Sequence, residues 1–428
     1  MKIGFISLGC AKNQVDSEYL MGMFEDPHFE LETDPYKCDV ILINTCGFIE
    51  SAKEEAINTI LEMAELKKQN LKYLICTGCL VQRYINELKN ELPEVDLFIT
   101  IKDYPKANEL LSKLFGFRID NSYGRNRTLI SKNYTAYLRI ADGCTNRCAY
   151  CAIPLIRGNC VSVPMEKIIE EAKRLHDQGV KELNIVAQDT TFYGYDLYNE
   201  FRLKDLIREL DRLDFKWIRI LYMYPDEIED ELLDVIKESK HVLPYFDIPV
   251  QYGNDYILKL MNRRGSTAHI KERIRKIREM FPDAYIRTTM IVGFPHENEQ
   301  TFDDTLKFIE DIRFDSLGAF TYSKEEDTAA YDMDEEVPEE VMNERLDILM
   351  KKQKEIVSDK LQNRIGEVHE ALMEKKDRNF YYLRGYMSAP DGVDSYILVK
   401  SDKELKEGEF YKVKLTDFVD YDMIGEII

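Results

Sequence analysis

"TAYLRIADGCTNRCAYC", residues 135–151, runs from a strand-like stretch into a loop that carries Cys144, Cys148 and Cys151. The spacing is C-x3-C-x2-C, with no histidine nearby and no further cysteine before Cys160. Thiolates favour soft metals and are the usual iron–sulfur ligands. Structural zinc generally takes four protein ligands. Three thiolates on a four-iron cluster leave one iron open, and an open iron can bind a substrate or cofactor. The strand-then-loop start is also the first of a series. Candidate strands begin near Ala136, Glu182, Trp217, Tyr245, Ala284 and Ser316, with helical patterns between them. "MEKIIEEAKRLHDQG" at 165–179 ends on Gly179, a helix C-terminal signal, and "AHIKERIRKIREMFP" at 268–282 is another such pattern. Six βα units predict a partial barrel, since a full eight-stranded barrel typically needs about 250 residues.

Working outward, residues 1–117 alternate strands and helices, with apolar runs at Lys2–Ser7, Val40–Asn44, Tyr73–Thr77 and Leu97–Ile101. That alternation predicts a parallel sheet covered on both faces. Residues 118–135 are polar and read as a linker with room for one hairpin. A long charged helix is expected over 338–363, followed by short β patterns separated by turns. These predict a small five-stranded barrel of the oligonucleotide-binding kind.

In open α/β sheets, ligands sit beyond the carboxyl ends of the strands. Cys10 follows the first strand, Cys46 the second and Cys79 the third, flanked by Gly9, Gly47 and Gly78. Three distant loops would thus deliver one cysteine each to a single sheet edge. The plainer alternative is three buried core thiols, because free cysteine is often buried. Three successive strand ends favour a metal site. Cys76 lies inside a strand and reads as core, and Cys38 and Cys160 carry no assigned role, with an inert thiol favoured.

The chain has 428 residues, of which 44% are hydrophobic, enough for a sizeable core and roughly three domains. No apolar run of about 20 residues is present, so no membrane span is expected. The N-terminal apolar stretch is too short for a signal peptide, which implies a cytoplasmic protein. Nine cysteines in such a chain point to metal or redox chemistry, not to a disulfide framework. The net charge of −21 would repel phosphates at long range and suits a basic protein partner, although acidity also serves plain solubility.

Through Cys144, Cys148 and Cys151 the sequence resembles the radical S-adenosylmethionine enzymes. It resembles in particular the methylthiotransferases, whose N-terminal domain carries three further cysteines, matched here by Cys10, Cys46 and Cys79. The resemblance rests on "SLGCAKNQVDSE" at 7–18, "INTCGFIESAKEE" at 43–55, "GCLVQRY" at 78–84, "CAIPLIRG" at 151–158 and "IRTTMIVGFP" at 286–295. It extends over essentially the whole chain. Within the family it is most similar to the branch that modifies small-subunit ribosomal protein S-twelve. The branch that modifies transfer RNA has sequences like "GQNVNSYG" where this chain has "AQDTTFYG" at 187–194. There are departures. Val161 and Val163 stand where the family often has arginines, Tyr252 where histidine is common, and His296 where glycine is usual.

The resemblance implies an α/β fold in three domains. These are an N-terminal flavodoxin-like parallel sheet domain (1–117), a radical-SAM partial (β/α)6 barrel (130–360) and a small all-β TRAM-like barrel (363–428). It implies two 4Fe-4S clusters, one on Cys144, Cys148 and Cys151 and one on Cys10, Cys46 and Cys79. The open iron of the first would chelate S-adenosyl-L-methionine, whose cleavage gives a 5'-deoxyadenosyl radical. Sulfur on the second would be methylated and passed to the β-carbon of an aspartate. Tyr150 and Gly293 are expected at the adenosine, although Tyr150 could instead pack under the cluster and Gly293 could serve only a strand-end turn. Asp189 ends the second barrel strand and could equally cap a helix, so it carries no assigned role. A flavodoxin- or ferredoxin-type electron donor is implied. From Asn363 onward there are 14 acidic and 10 basic residues, a net of −4, so no strong nucleic-acid footprint is present. Phe380, Tyr381 and Tyr382 read as strand core. The rival readings are transfer-RNA methylthiolation and a non-enzymatic iron–sulfur scaffold or sensor.

Overall fold

Apolar runs separated by amphipathic helices build the first sheet of the computed structural model, which describes residues 1–130 and 132–428. Its strands are β1 (Lys2–Ser7), β2 (Glu30–Leu31), β3 (Val40–Thr45), β4 (Tyr73–Gly78) and β5 (Leu97–Ile99). All pair in parallel in the order β2-β1-β3-β4-β5, the doubly wound flavodoxin-like order. Central β3, VILINT, is buried along its whole length, as a strand covered on both faces must be. The two-residue edge strand β2 is too short to leave a periodic signal.

The second body opens with β6 (Thr135–Arg139). A short antiparallel pair, β7 (Ala141–Asp142) and β8 (Val161–Ser162), then brackets the cysteine loop. The series continues with β9 (Glu182–Val186), β10 (Trp217–Ile220), β11 (Val242–Asp247), β12 (Tyr285–Val292) and β13 (Ser316–Thr321). These five and β6 form one parallel sheet in chain order, and β6 and β13 do not pair, so the barrel stays open as six strands predict. β11 begins at Val242 rather than near Tyr245. Pro244 lies between the two, and a proline inside a strand pattern argues against the assignment from sequence.

The helix Glu339–Arg364 leads into a closed barrel of β14 (Val368–Asp377), β15 (Phe380–Gly385), β16 (Ile397–Val399), β17 (Phe410–Val419) and β18 (Asp422–Ile427). Tyr381 is buried in its core, whereas Phe380 and Tyr382 are half-buried. The linker differs from expectation. Residues 118–130 and 132–134 form no hairpin, and Ser131 lies outside the described residues. Side-chain bonds hold the linker against the helix α1 (Ala11–Met23) instead. Tyr123 donates to Asp16 at 2.6 Å, and Arg127 pairs with Glu18 at 2.6 Å and Glu171 at 3.1 Å.

Buried ion pairs join the three bodies. Glu182 of β9 takes Arg384 of β15 and Arg219 of β10, while Trp217 packs edge-on against Phe410 with ring centroids 4.8 Å apart. On the other side, Glu325, next to the end of β13, pairs with Arg83 at 2.7 Å and Lys53 at 3.2 Å of the first domain. Replacing such a pair by apolar side chains of similar size would change stability little, but removing one partner leaves a buried charge uncompensated.

Candidate active site

The strand ends of the first domain converge as the sequence predicts. Cys10 caps α1 after β1, Cys46 follows β3, and Cys79 opens a short helix after β4. Two turns require glycine. Gly9 has φ +88° and Gly78 has φ +99°. A Cβ on Gly9 would lie 2.8 Å from the Cys46 Cβ, and one on Gly78 would lie 2.4 Å from the Thr45 carbonyl oxygen. Asn13 ties the loops together. Its Nδ2 donates to the carbonyls of Leu8 and Thr45, each at 3.1 Å, and its Oδ1 accepts from the Cys79 thiol at 3.4 Å.

The second triplet is fixed by backbone bonds. The Cys144 N–H donates to the Gly158 carbonyl at 3.0 Å, and the Ala149 N–H to the Met261 carbonyl at 2.8 Å. Arg263 lies beside this loop, donating to the Pro249 carbonyl at 2.5 Å with its guanidinium 4.3 Å from the Tyr224 ring centroid. Its other nitrogen is 3.9 Å from the Cys148 sulfur, so a fixed positive charge faces that thiol.

All six cysteines line one cavity of about 440 Å³ between the two domains. Arg157 forms the joint. Its side chain is almost fully buried and bonds Asn13 and Asp16 of α1, each at 2.8 Å, and both Asp142 oxygens at 3.0 Å. One guanidinium therefore holds the two cysteine loops in register through planar, charge-assisted bonds.

Among the described residues, no three His, Cys, Asp or Glu side chains close on a single point where one ion could sit. Each thiol of a four-iron cluster binds a different iron, so the triplets need not close on one point. Burial raises the Cys79 thiol to about 12 and Cys144 to about 11, and pushes Cys46 and Cys151 upward as well. Cys10 is held below the usual thiol range: burial opposes this, but Lys12, the Asn13 N–H and Arg157 outweigh it. Metal binding displaces thiol protons, so ligation and deprotonation would occur together. Gln188 lines the same cavity, donates to Asp142 at 3.2 Å, and leaves its buried Oε1 without a partner among the described residues. That acceptor and the soft donors fit a cofactor that presents N–H or O–H groups beside an iron–sulfur cluster.

Tyr150 lines the cavity and packs against the barrel core. Gly293 does not line it. Gly293 stands just past β12 with φ +76°, donates its N–H to Glu297 at 2.9 Å, and would drive a Cβ to 2.1 Å from the Met342 Cγ. Its surroundings are those of a strand-end turn under the long helix. Asp189 does line the cavity, accepting from Asn146 at 2.7 Å and from the Thr191 N–H at 3.1 Å. The departures fall outside the lining. Val161 is exposed, Val163 and Tyr252 pack in the barrel, and His296 bonds Glu335. His296 has φ +68°, which explains why glycine suits that position. Cys38, Cys76 and Cys160 are buried away from the cavity. Sequence reasoning missed the roles of Lys12, Asn13 and Arg157, although all three lie in the stretches that carry the resemblance.

The chain matches "Radical SAM superfamily" over residues 138–309, "Uncharacterized protein family UPF0004" over 2–100 and "TRAM domain" over 365–428. Solved structures share the fold. TsrM from Kitasatospora setae, a radical S-adenosylmethionine methyltransferase, aligns with TM-score 0.55 at 13% identity over 74% of this chain and 72% of its own. OxsB, a cobalamin-dependent S-adenosylmethionine radical enzyme, aligns with TM-score 0.53 at 12% identity over 84% of this chain and 58% of its own. Fold and site thus define a radical S-adenosylmethionine protein. The ribosomal protein uS12 methylthiotransferase RimO of Alkaliphilus oremlandii is 45% identical over 100% of this chain and 99% of its own length. That of Caldicellulosiruptor saccharolyticus is 44% identical over 100% of both. The chain belongs to the ribosomal protein uS12 methylthiotransferase family.

Proposed function

We propose that this chain attaches a methylthio group to the β-carbon of an aspartate in ribosomal protein uS12. The observation that carries the reading is the single cavity lined by two cysteine triplets from two domains. Cys144, Cys148 and Cys151 would hold one 4Fe-4S cluster beside S-adenosyl-L-methionine, and Cys10, Cys46 and Cys79 a second. When bound, these groups supply one-electron cleavage of a sulfonium and a transferable sulfur, chemistry that acid–base side chains cannot perform at an unactivated C–H. The protein's share is orientation. Asn13 and Arg157 fix the distance between the loops, Arg263 places a positive charge at Cys148, and Gln188 offers a buried acceptor. Tyr150 would flank the adenosine. Gly293, set outside the lining, would support the strand end rather than touch the cofactor.

The same reading implies domains over 1–117, 130–360 and 363–428, a cytoplasmic location, and a flavodoxin- or ferredoxin-type electron donor. Among the described residues no helix is long and apolar enough to cross a membrane.

The test is anaerobic. Reconstituted protein receives reductant and S-adenosylmethionine with uS12 and bulk transfer RNA together, and mass spectrometry locates the methylthio group. A modified aspartate is expected, and a modified adenosine would overturn the substrate. Cys148→Ala is expected to abolish cofactor cleavage. Cys46→Ala is expected to cleave the cofactor but transfer nothing, and normal transfer would sink the role of the first triplet.

A further inference from the structure

Three cationic side chains line the cavity, and two of them already donate to groups of the protein. Arg157 is neutralised by Asp16 and Asp142, and Arg263 is bonded to the Pro249 carbonyl and faces the Cys148 sulfur. Lys12 differs. Its residue is only 7% exposed, and its Nζ lies 3.6 Å from the centroid of the Tyr222 ring. Among the described residues it makes no ion pair and its ammonium donates no hydrogen bond. A cation–π contact offsets part of the cost of burying the charge. It leaves the N–H donors of the ammonium without a protein acceptor among the described residues and open to the cavity. The ring beneath it is held in place. Tyr222 adopts φ +59°, its N–H donates to Asp247 at 2.9 Å, and its carbonyl accepts from the Thr190 N–H at 3.0 Å. The structure therefore holds, in the cavity between the two triplets, an ammonium that pairs with no carboxylate among the described residues.

We propose that Lys12 recognises the side-chain carboxylate of the target aspartate, and so sets the choice of an acidic residue over a nucleobase. The proposal rests on the uS12 reading above. A carboxylate is the anion that an aspartate substrate brings, and its carbon is bonded directly to the β-carbon that receives sulfur. An adenine base brings no such charge. Lys12 lies two residues after Cys10, so a carboxylate held there would keep the neighbouring β-carbon beside the first triplet.

The test compares equilibrium binding of two forms of uS12 to the reconstituted full-length protein by calorimetry. One form carries the target aspartate and the other asparagine at that position. The wild type is expected to favour the aspartate form about tenfold or more, the scale of one charge-assisted bond. Lys12→Met is expected to bring that ratio to about one by weakening only the aspartate form, while Lys12→Arg keeps most of it. A ratio that survives in Lys12→Met overturns the proposal, and is the outcome if Lys12 serves only the Cys10 sulfur. Should Lys12→Met bind neither form, Lys12→Arg decides: a retained preference supports the proposal and a ratio near one overturns it. A wild type that binds and modifies uS12 without preferring aspartate overturns Lys12 alone. A wild type that neither binds nor modifies uS12 overturns the functional reading with it.

Discussion

Glu182→Gln should loosen the C-terminal barrel from the central one. Glu182 is fully buried at the start of β9, where it accepts from Arg384 at 2.9 Å, Arg219 at 3.3 Å and the Thr135 hydroxyl at 3.0 Å. Burial alone would raise its carboxyl, but Arg384 and Arg219 outweigh burial and bring it down to about 2 from 4.5. That depression corresponds to about 3 kcal/mol of stability at neutral pH. Because the folded value is the lower one, the contribution is complete above about pH 4.5 and disappears as the pH falls towards 2. Removing one partner of a buried charge cluster costs about 3–5 kcal/mol by independent reasoning, so the two routes agree. Trp217, the only tryptophan, touches Phe410 across the same interface and gives a natural fluorescence reporter. Urea unfolding of cluster-free wild type and variant, followed by that fluorescence, should show a loss of about 3 kcal/mol at pH 7.5. Roughly half of the difference should be gone by pH 3. A loss below about 1 kcal/mol at pH 7.5, the level of an exposed ion pair, would refute the reasoning. So would a difference that does not change between the two pH values.

Glu325→Ala should remove the carboxylate that Lys53 and Arg83 share across the domain boundary and speed hydrogen exchange in the helices Glu50–Glu65 and Cys79–Arg83. It should lower methylthio transfer more than cofactor cleavage, and equal losses in both would count against a domain clamp. Glu227 is held up at about 7 by burial and by Asp189, against the pull of Arg264. Its folded value lies above the ordinary 4.5, so the wild type should lose stability relative to Glu227→Gln as the pH rises from about 4.5 to 7. The difference should reach up to about 3 kcal/mol and then level off, and a flat difference in thermal unfolding across that range would contradict it.

The barrel was legible because five of its six strand starts coincide with an apolar run and its longer helices with a 3.6-residue pattern. β11 was mislaid by three residues because Pro244 interrupts its run. The convergence of the six cysteines on one cavity was legible because the thiols sit at strand ends or in a dense loop. The joint that brings them together was not. Arg157 and Asp16 are 141 residues apart, and nothing in local periodicity marks a pair at that separation. Lys12 escaped notice for a related reason. A lysine in the first turn of a helix reads as solvated until the opposing barrel covers it. The linker hairpin failed because Glu18 of α1 accepts the backbone N–H groups of Thr128 and Ile130, at 3.1 and 3.2 Å, in place of a strand partner.

Arg157 also bears on how such a protein can change over generations. Its guanidinium belongs to one half of the molecule, and two of its three partners, Asn13 and Asp16, belong to the other. A replacement on either side alone strands a charge in the interior. The two cysteine-bearing halves are therefore poor candidates for independent shuffling between relatives. A chimera that joins a foreign first half to this barrel has to import the asparagine and aspartate of α1 together with the cysteines. Partial imports would assemble every thiol and still misalign them.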